Sequence, residues 1–201
     1  MDLRNSAGLL LGAFLLAGCN YQPVADPTLS GNDIKLLEKA ATAPVDPQFE
    51  RYMVEDSSGE APGTIIVNGH EPFLYYILPD KKAIRYGVAT GDEAAGWTGT
   101  ATIGRMAEWP HWMPPADMLE RWPHLKPTAM AGGLPGGPDN PLGARGLYLY
   151  QNGRDTMFRI HGTNEPEEIG RSVSSGCIRM RNIDVIDLYK RVKVGAKVIV
   201  V

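Results

Sequence analysis

The chain has 201 residues, 43% of them hydrophobic and 21% charged, with a formal net charge of −3. That length buries one ordinary core and leaves some chain over, while the mixed, weakly acidic charge without a basic block excludes nucleic acid as a partner. With 23 Gly, 16 Pro and only 8% aromatic residues, turns are frequent, which favours a mainly β fold over a helical bundle.

The first residues, MDLRNSAGLLLGAFLLAGCN, hold an apolar run over 7–17 behind a head whose basic side chain is Arg4. The run is too short to cross a bilayer and fits the core of an export signal. Leu16-Ala17-Gly18-Cys19 resembles a bacterial lipobox. That resemblance implies a signal peptide over 1–18, lipid on Cys19 and a membrane anchor at the periplasmic face of the cell envelope. Asn20, standing where an Asp would retain the protein elsewhere, implies the outer membrane. An ordinary cleaved signal or an uncleaved anchor is the plainer alternative. Residues 19–63, with repeated Pro, Asp, Ser and Thr and one helical patch over 34–41, are expected to form a partly ordered tether.

From residue 64 the pattern changes. TIIV and FLYYIL read as two strands about an Asn68-Gly69 turn signal, AIRYGVAT as a third and TGTATIGR as a fourth. The Trp/Pro segment over 106–127 leaves room for a short helix at 115–121. After the Gly/Pro loop over 132–146, LYLY and MFRIHG resume strand character. NIDVIDLYKRV, with apolar Ile183, Ile186 and Val192, reads as a helix capped by Asn182, and AKVIVV as a last strand. The expected architecture is a β-sandwich or open barrel with one or two short helices.

Only two cysteines are present, Cys19 and Cys177. With lipid on the first, the second is a thiol left over in an oxidising compartment, either buried and inert or reactive. Its setting, SVSSGCIRM, is polar and flexible, which favours reactivity. A thiol near neutral pH needs a base, and an adjacent imidazole lowers its pKa. His161, closing the strand MFRIH 16 residues earlier, is the candidate base, although a histidine at a strand end also serves as a structural hydrogen-bonding residue. Ser174, Ser175 and Gly176 leave space for main-chain N–H groups beside the Cys177 N–H, an oxyanion site in outline. Arg179 can hold a substrate carboxylate or order the loop. His70, His111 and His124 are scattered and lack metal-ligand spacing. Tyr148 and Arg145 can line the site or pack. WPHWMPP over 109–115 can wall a groove or simply stiffen the fold, and Glu165, Glu167 and Glu168 read as a solvated loop.

Residues 161–189, HGTNEPEEIGRSVSSGCIRMRNIDVIDLY, resemble the signature of the YkuD-type L,D-transpeptidases, HGT…G…S-H-G-C-I-R-M-x-N-x-D. The NPLG of 140–143 and the terminal VGAKVIVV also match. The resemblance implies a mainly β catalytic domain over 64–201 that needs neither metal nor organic cofactor. It implies that Cys177 attacks the carbonyl of the third, meso-diaminopimelyl residue of a peptidoglycan stem tetrapeptide and expels D-alanine. The thioester then passes to an amine of a second stem, giving a 3-3 cross-link, or to an envelope protein. His161 carries the proton, the Gly162 carbonyl orients its ring, and main-chain N–H groups at Gly176 and Cys177 hold the oxyanion. Ser175 departs from the pattern, which has His there. With water as acceptor the same pair gives an L,D-carboxypeptidase or hydrolase; a third reading is an inactive lipoprotein that only binds murein.

Overall fold

Side chains that alternate between the two faces of each strand give one face apolar enough to line a core, around which the strands curl into a closed ring. A computed structural model describes residues 21–91, 98–174 and 176–201; the signal segment, Cys19 and Ser175 lie outside them. In chain order the strands are β1 (Gln22–Pro23), β2 (Tyr52–Glu55), β3 (Ile65–Asn68), β4 (Phe73–Leu78), β5 (Lys82–Gly91), β6 (Gly99–Glu108), β7 (Arg145–Gln151), β8 (Arg154–His161), β9 (Ser172–Ser174), β10 (Ile178–Met180) and β11 (Lys197–Val200). The helices are α1 (Asn32–Leu37), α2 (Ala116–Arg121), α3 (Lys126–Met130) and α4 (Asn182–Arg191).

The sheet order β5-β10-β8-β7-β6-β11-β3-β4 returns to β5, because β4 also pairs with β5. Eight strands therefore form a barrel, and the expected open barrel or sandwich is a sheet that closes on itself. Two of the barrel pairings are parallel, β10 with β8 and β11 with β3, and β9 also lies parallel to β5. The inner face stacks Ile65, Leu74, Ile84, Ile103, Leu147, Ile160 and Met180, and α4 adds Val185, Ile186 and Leu188. Burying side chains of this kind contributes about 1.5–3 kcal/mol apiece.

Two expectations need correction. Residues 21–63 are not a partly ordered tether: β1 pairs with β2, and β2 with β5. Val24, Leu29 and Leu37 pack against the core. Two buried ion pairs fix the segment further. Arg51 donates to Asp184 (2.8 Å) and Asp26 (2.8 Å), joining this segment to α4. Asp33 of α1 accepts two bonds from Arg145 (2.9 and 2.6 Å) and one from the Trp109 indole (2.9 Å). Charges so buried are tolerated only when paired, and their partners sit on α4 and β7. The second correction concerns Asn182. It is the first residue of α4 rather than its cap, which is Arg181 and makes no side-chain cap bond.

Candidate active site

Cys177 stands one residue before β10, whose Ile178 and Arg179 lie level with Ile160 and His161 of the parallel β8. Side chains alternate between the faces of a sheet. Ile178, Met180 and Ile160 point into the core, so Cys177, Arg179, Arg159 and His161 share the outer face. Cys177 is thus level with Arg159 and a diagonal neighbour of His161 on the adjacent strand, about 8 Å away at the backbone. The parallel course of β8 and β10 puts onto one face of neighbouring strands two residues that the sequence holds 16 apart.

His161 is buried, and its Nδ1 lies 2.6 Å from the Gly162 carbonyl. A carbonyl can only accept, so Nδ1 carries the proton and Nε2 is left as the acceptor. Burial pushes the imidazole pKa down to about 4, opposed by the bond to Gly162 and reinforced by the charges of Arg179 and Arg159. Burial likewise pushes the Cys177 thiol up, against the lowering pull of the Arg159 main chain and of the Arg159 and Arg179 charges. The sequence suggests a thiol acidified by its neighbour. In the folded chain desolvation outweighs that effect, because half-buried sulfur and buried imidazole both disfavour charge. At neutral pH the fold favours the thiol and the neutral imidazole, and a neutral imidazole is a form that can accept a proton.

The Gly162 carbonyl is held from behind. Asn182 accepts from the Ala144 N–H (2.9 Å) and the Thr163 N–H (3.2 Å) and donates to the Thr163 carbonyl (2.8 Å). A Cβ on Gly143 or Gly162 would lie 2.2 Å from the Asn182 carboxamide oxygen, so both positions require glycine. Local pattern suggested a helix cap; the side chain is instead committed to two distant turns. Only its place in the matched signature hinted at this.

Gly176 has φ +113°, and a Cβ there would meet the Phe158 ring at 2.9 Å, so a bare peptide precedes the nucleophile. The Ser174 main chain is level with Gly91 of β5, and Ser175 is outside the described residues. Arg179 bonds Glu165 (2.9 Å) and Glu168; the loop reading of Arg179 is the one its contacts bear, and the glutamates lie in an exposed loop in which Glu165 and Glu168 also pair with Arg179. Arg145 belongs to the Asp33 pair and stacks on Tyr189. The WPHWMPP segment packs: Trp112 is buried and bridges to Leu134, and the buried Asn140 amide donates to the carbonyls of Pro110, Leu134 and Pro135.

Fold and site together define a β-barrel domain carrying a thiol–imidazole pair on its outer face, the equipment of covalent acyl transfer. The chain belongs to the YkuD family of L,D-transpeptidase catalytic domains, whose sequence model matches residues 62–200. It is 35% identical over 139 residues to a protein of Escherichia coli named probable L,D-transpeptidase ErfK/SrfK, covering 67% of this chain and 42% of that one. The Salmonella typhimurium protein of the same name is 33% identical over 177 residues, covering 84% and 52%. The chain thus spans about half the length of these relatives or less. A crystal structure from Brucella melitensis, described as a probable carnitine operon oxidoreductase, is 45% identical, covers 78% of this chain and 96% of its own, and superposes with a TM-score of 0.54.

Proposed function

We propose that this chain is a cysteine-dependent L,D-transpeptidase acting on peptidoglycan stem tetrapeptides. The observation that carries the reading is the placement of Cys177 beside a buried, neutral His161 whose tautomer is set by Gly162. His161 Nε2 takes the thiol proton as sulfur attacks the third-residue carbonyl, and returns it to the amine of the departing D-alanine. The peptide around Gly176 and Cys177 stabilises the oxyanion. An amine of a second stem, or of an envelope protein, then resolves the thioester. The oxidoreductase description belongs to the Brucella protein; the thiol–imidazole pair here supports acyl transfer.

The lipobox-like segment supports a lipid on Cys19 and an anchor at the periplasmic face of the outer membrane. The anchor would then sit two residues before Tyr21, whose ring packs on Tyr52 and Arg85 at the barrel edge. At about 3.5 Å per residue, the domain is held close to the bilayer rather than on a leash.

Incubating the chain from residue 20 with disaccharide-tetrapeptide muropeptides, beside Cys177→Ala, tests the reading by mass spectrometry. A Cys177-dependent dimer with loss of D-alanine is expected. Tripeptide alone would make the protein an L,D-carboxypeptidase, and the absence of both products and of an acyl-enzyme, with a protein acceptor supplied as well, would leave murein binding only.

A further inference from the structure

The outer face carries a row of side chains that the acyl transfer itself does not use. Continuing the register in which Ile178 faces Ile160 sets Cys177 beside Arg159, while Arg159 is level with Tyr148 of β7 and Tyr148 with Arg105 of β6. Their chain neighbours Ile160, Leu147 and Met106 point to the core, so the row lies on the nucleophile's side of the sheet. Both guanidiniums stack on one ring: Arg105 is 3.7 Å and Arg159 is 4.5 Å from the centre of Tyr148. Asp155 pairs with Arg159 through two bonds (2.7 and 2.9 Å). Arg105 is exposed and has no ion pair among the described residues. Two cations on one ring with a single carboxylate between them leave a net positive charge. Stacking also immobilises the Arg105 guanidinium while leaving its N–H fork open to a bidentate anion.

Next to this row Gly146 lies level with His161. A Cβ there would approach the Tyr148 ring at 3.2 Å and Pro110 at 3.5 Å, so the bare main chain lets the ring and the proline pack closely against the strand beside the imidazole. From Cys177 to Arg105 is three strand spacings, about 14 Å at the backbone, which an extended peptide covers in about four residues.

We propose that Arg105, stacked on Tyr148 and backed by Arg159, is the binding site for a carboxylate of the donor peptide, within about four residues of the carbonyl that Cys177 attacks. This rests on the acyl-transfer reading above and adds a specificity-determining residue to it.

Binding and chemistry test it separately. The Cys177→Ala protein is titrated by NMR with the free tetrapeptide stem and with the same peptide amidated at its carboxylates. Adding Arg105→Gln should raise the Kd for the free peptide about tenfold and leave the amidated peptide unaffected, while Arg105→Lys recovers part of the loss. Equal Kd values with and without Arg105, an equal loss for the amidated peptide, or no binding at all would overturn the site. In the Cys177-containing protein, Arg105→Gln should slow acyl-enzyme formation at low donor concentration but not transfer from the preformed thioester; slowed transfer alone would overturn the donor assignment. Alkylation of Cys177 by neutral iodoacetamide at the parent rate shows that the barrel is intact. If the stem binds through Arg105 yet no acyl-enzyme ever forms, the transferase reading fails and the anion site stands.

Discussion

The imidazole at position 161 is kept uncharged by the fold, and that has two measurable consequences. Its pKa is down at about 4, against about 6.5 when exposed. Between those values the unfolded chain binds a proton that the folded chain refuses. Stability attributable to this group is therefore full above pH 6.5, falls as pH drops toward 4, and is level below that, a change of about 3 kcal/mol. Urea titrations across this range should show the fall in the parent protein and a correspondingly flatter profile in His161→Gln. The second consequence concerns sulfur. Burial holds the Cys177 pKa above the ordinary thiol range, so without His161 the thiolate is scarce at pH 7. Alkylation by iodoacetamide should be at least tenfold slower in His161→Ala at that pH, and should recover only as pH rises well past 9. Equal rates at pH 7 would show that the imidazole takes no part in activating the thiol.

Strands and their order explain why Cys177 and His161, 16 residues apart in sequence, share one face of adjacent strands. The sequence makes β8, β10 and α4 readable one at a time, through the alternation of MFRIH and the apolar spacing of NIDVIDLYKRV. It does not show that β10 lies parallel to β8, since a register is a property of two strands and no local pattern states it. Asn182 illustrates the same limit. Its local signal is that of a cap, yet its partners are 38 and 19 residues away. Removing its carboxamide would leave the Ala144 and Thr163 groups unpaired in a buried place, at about 1–3 kcal/mol each, and release the Gly162 carbonyl. Asn182→Ala should then lower kcat about tenfold to a hundredfold with KM little changed, as expected when a catalytic group loses orientation. The distinguishing readout is the two-bond proton–nitrogen NMR correlation of His161, which should report the Nδ1–H form in the parent and a tautomer mixture in the variant. A variant that is less stable but keeps the single tautomer would make Asn182 structural only.

At the scale of the molecule, the regular strand pattern that starts near residue 64 is legible and forms β3 and β4. The role of the preceding residues was not legible, because Pro- and Asp-rich chain looks the same whether it is solvated or docked. What docks it are two arginine–aspartate pairs across large sequence gaps, Arg51 with Asp184 and Arg145 with Asp33. Each leaves a buried charge if its partner is removed. A chain beginning at residue 64 therefore loses the β2 pairing to β5 and strands two buried charged groups, Asp184 of α4 with only Arg181 left as cation and Arg145 of β7 with only the exposed Glu108, 3.9 Å away. Breaking one buried pair costs about 3–5 kcal/mol, and losing both is comparable with the whole stability of a domain this size. Residues 64–201 alone should accordingly fail to give a cooperative thermal transition, whereas residues 21–201 should give one. Arg51→Ala in the longer chain should lower stability by about 3 kcal/mol. A truncated chain that melted cooperatively near the parent temperature would mean that the docked segment is carried by the barrel rather than holding it together.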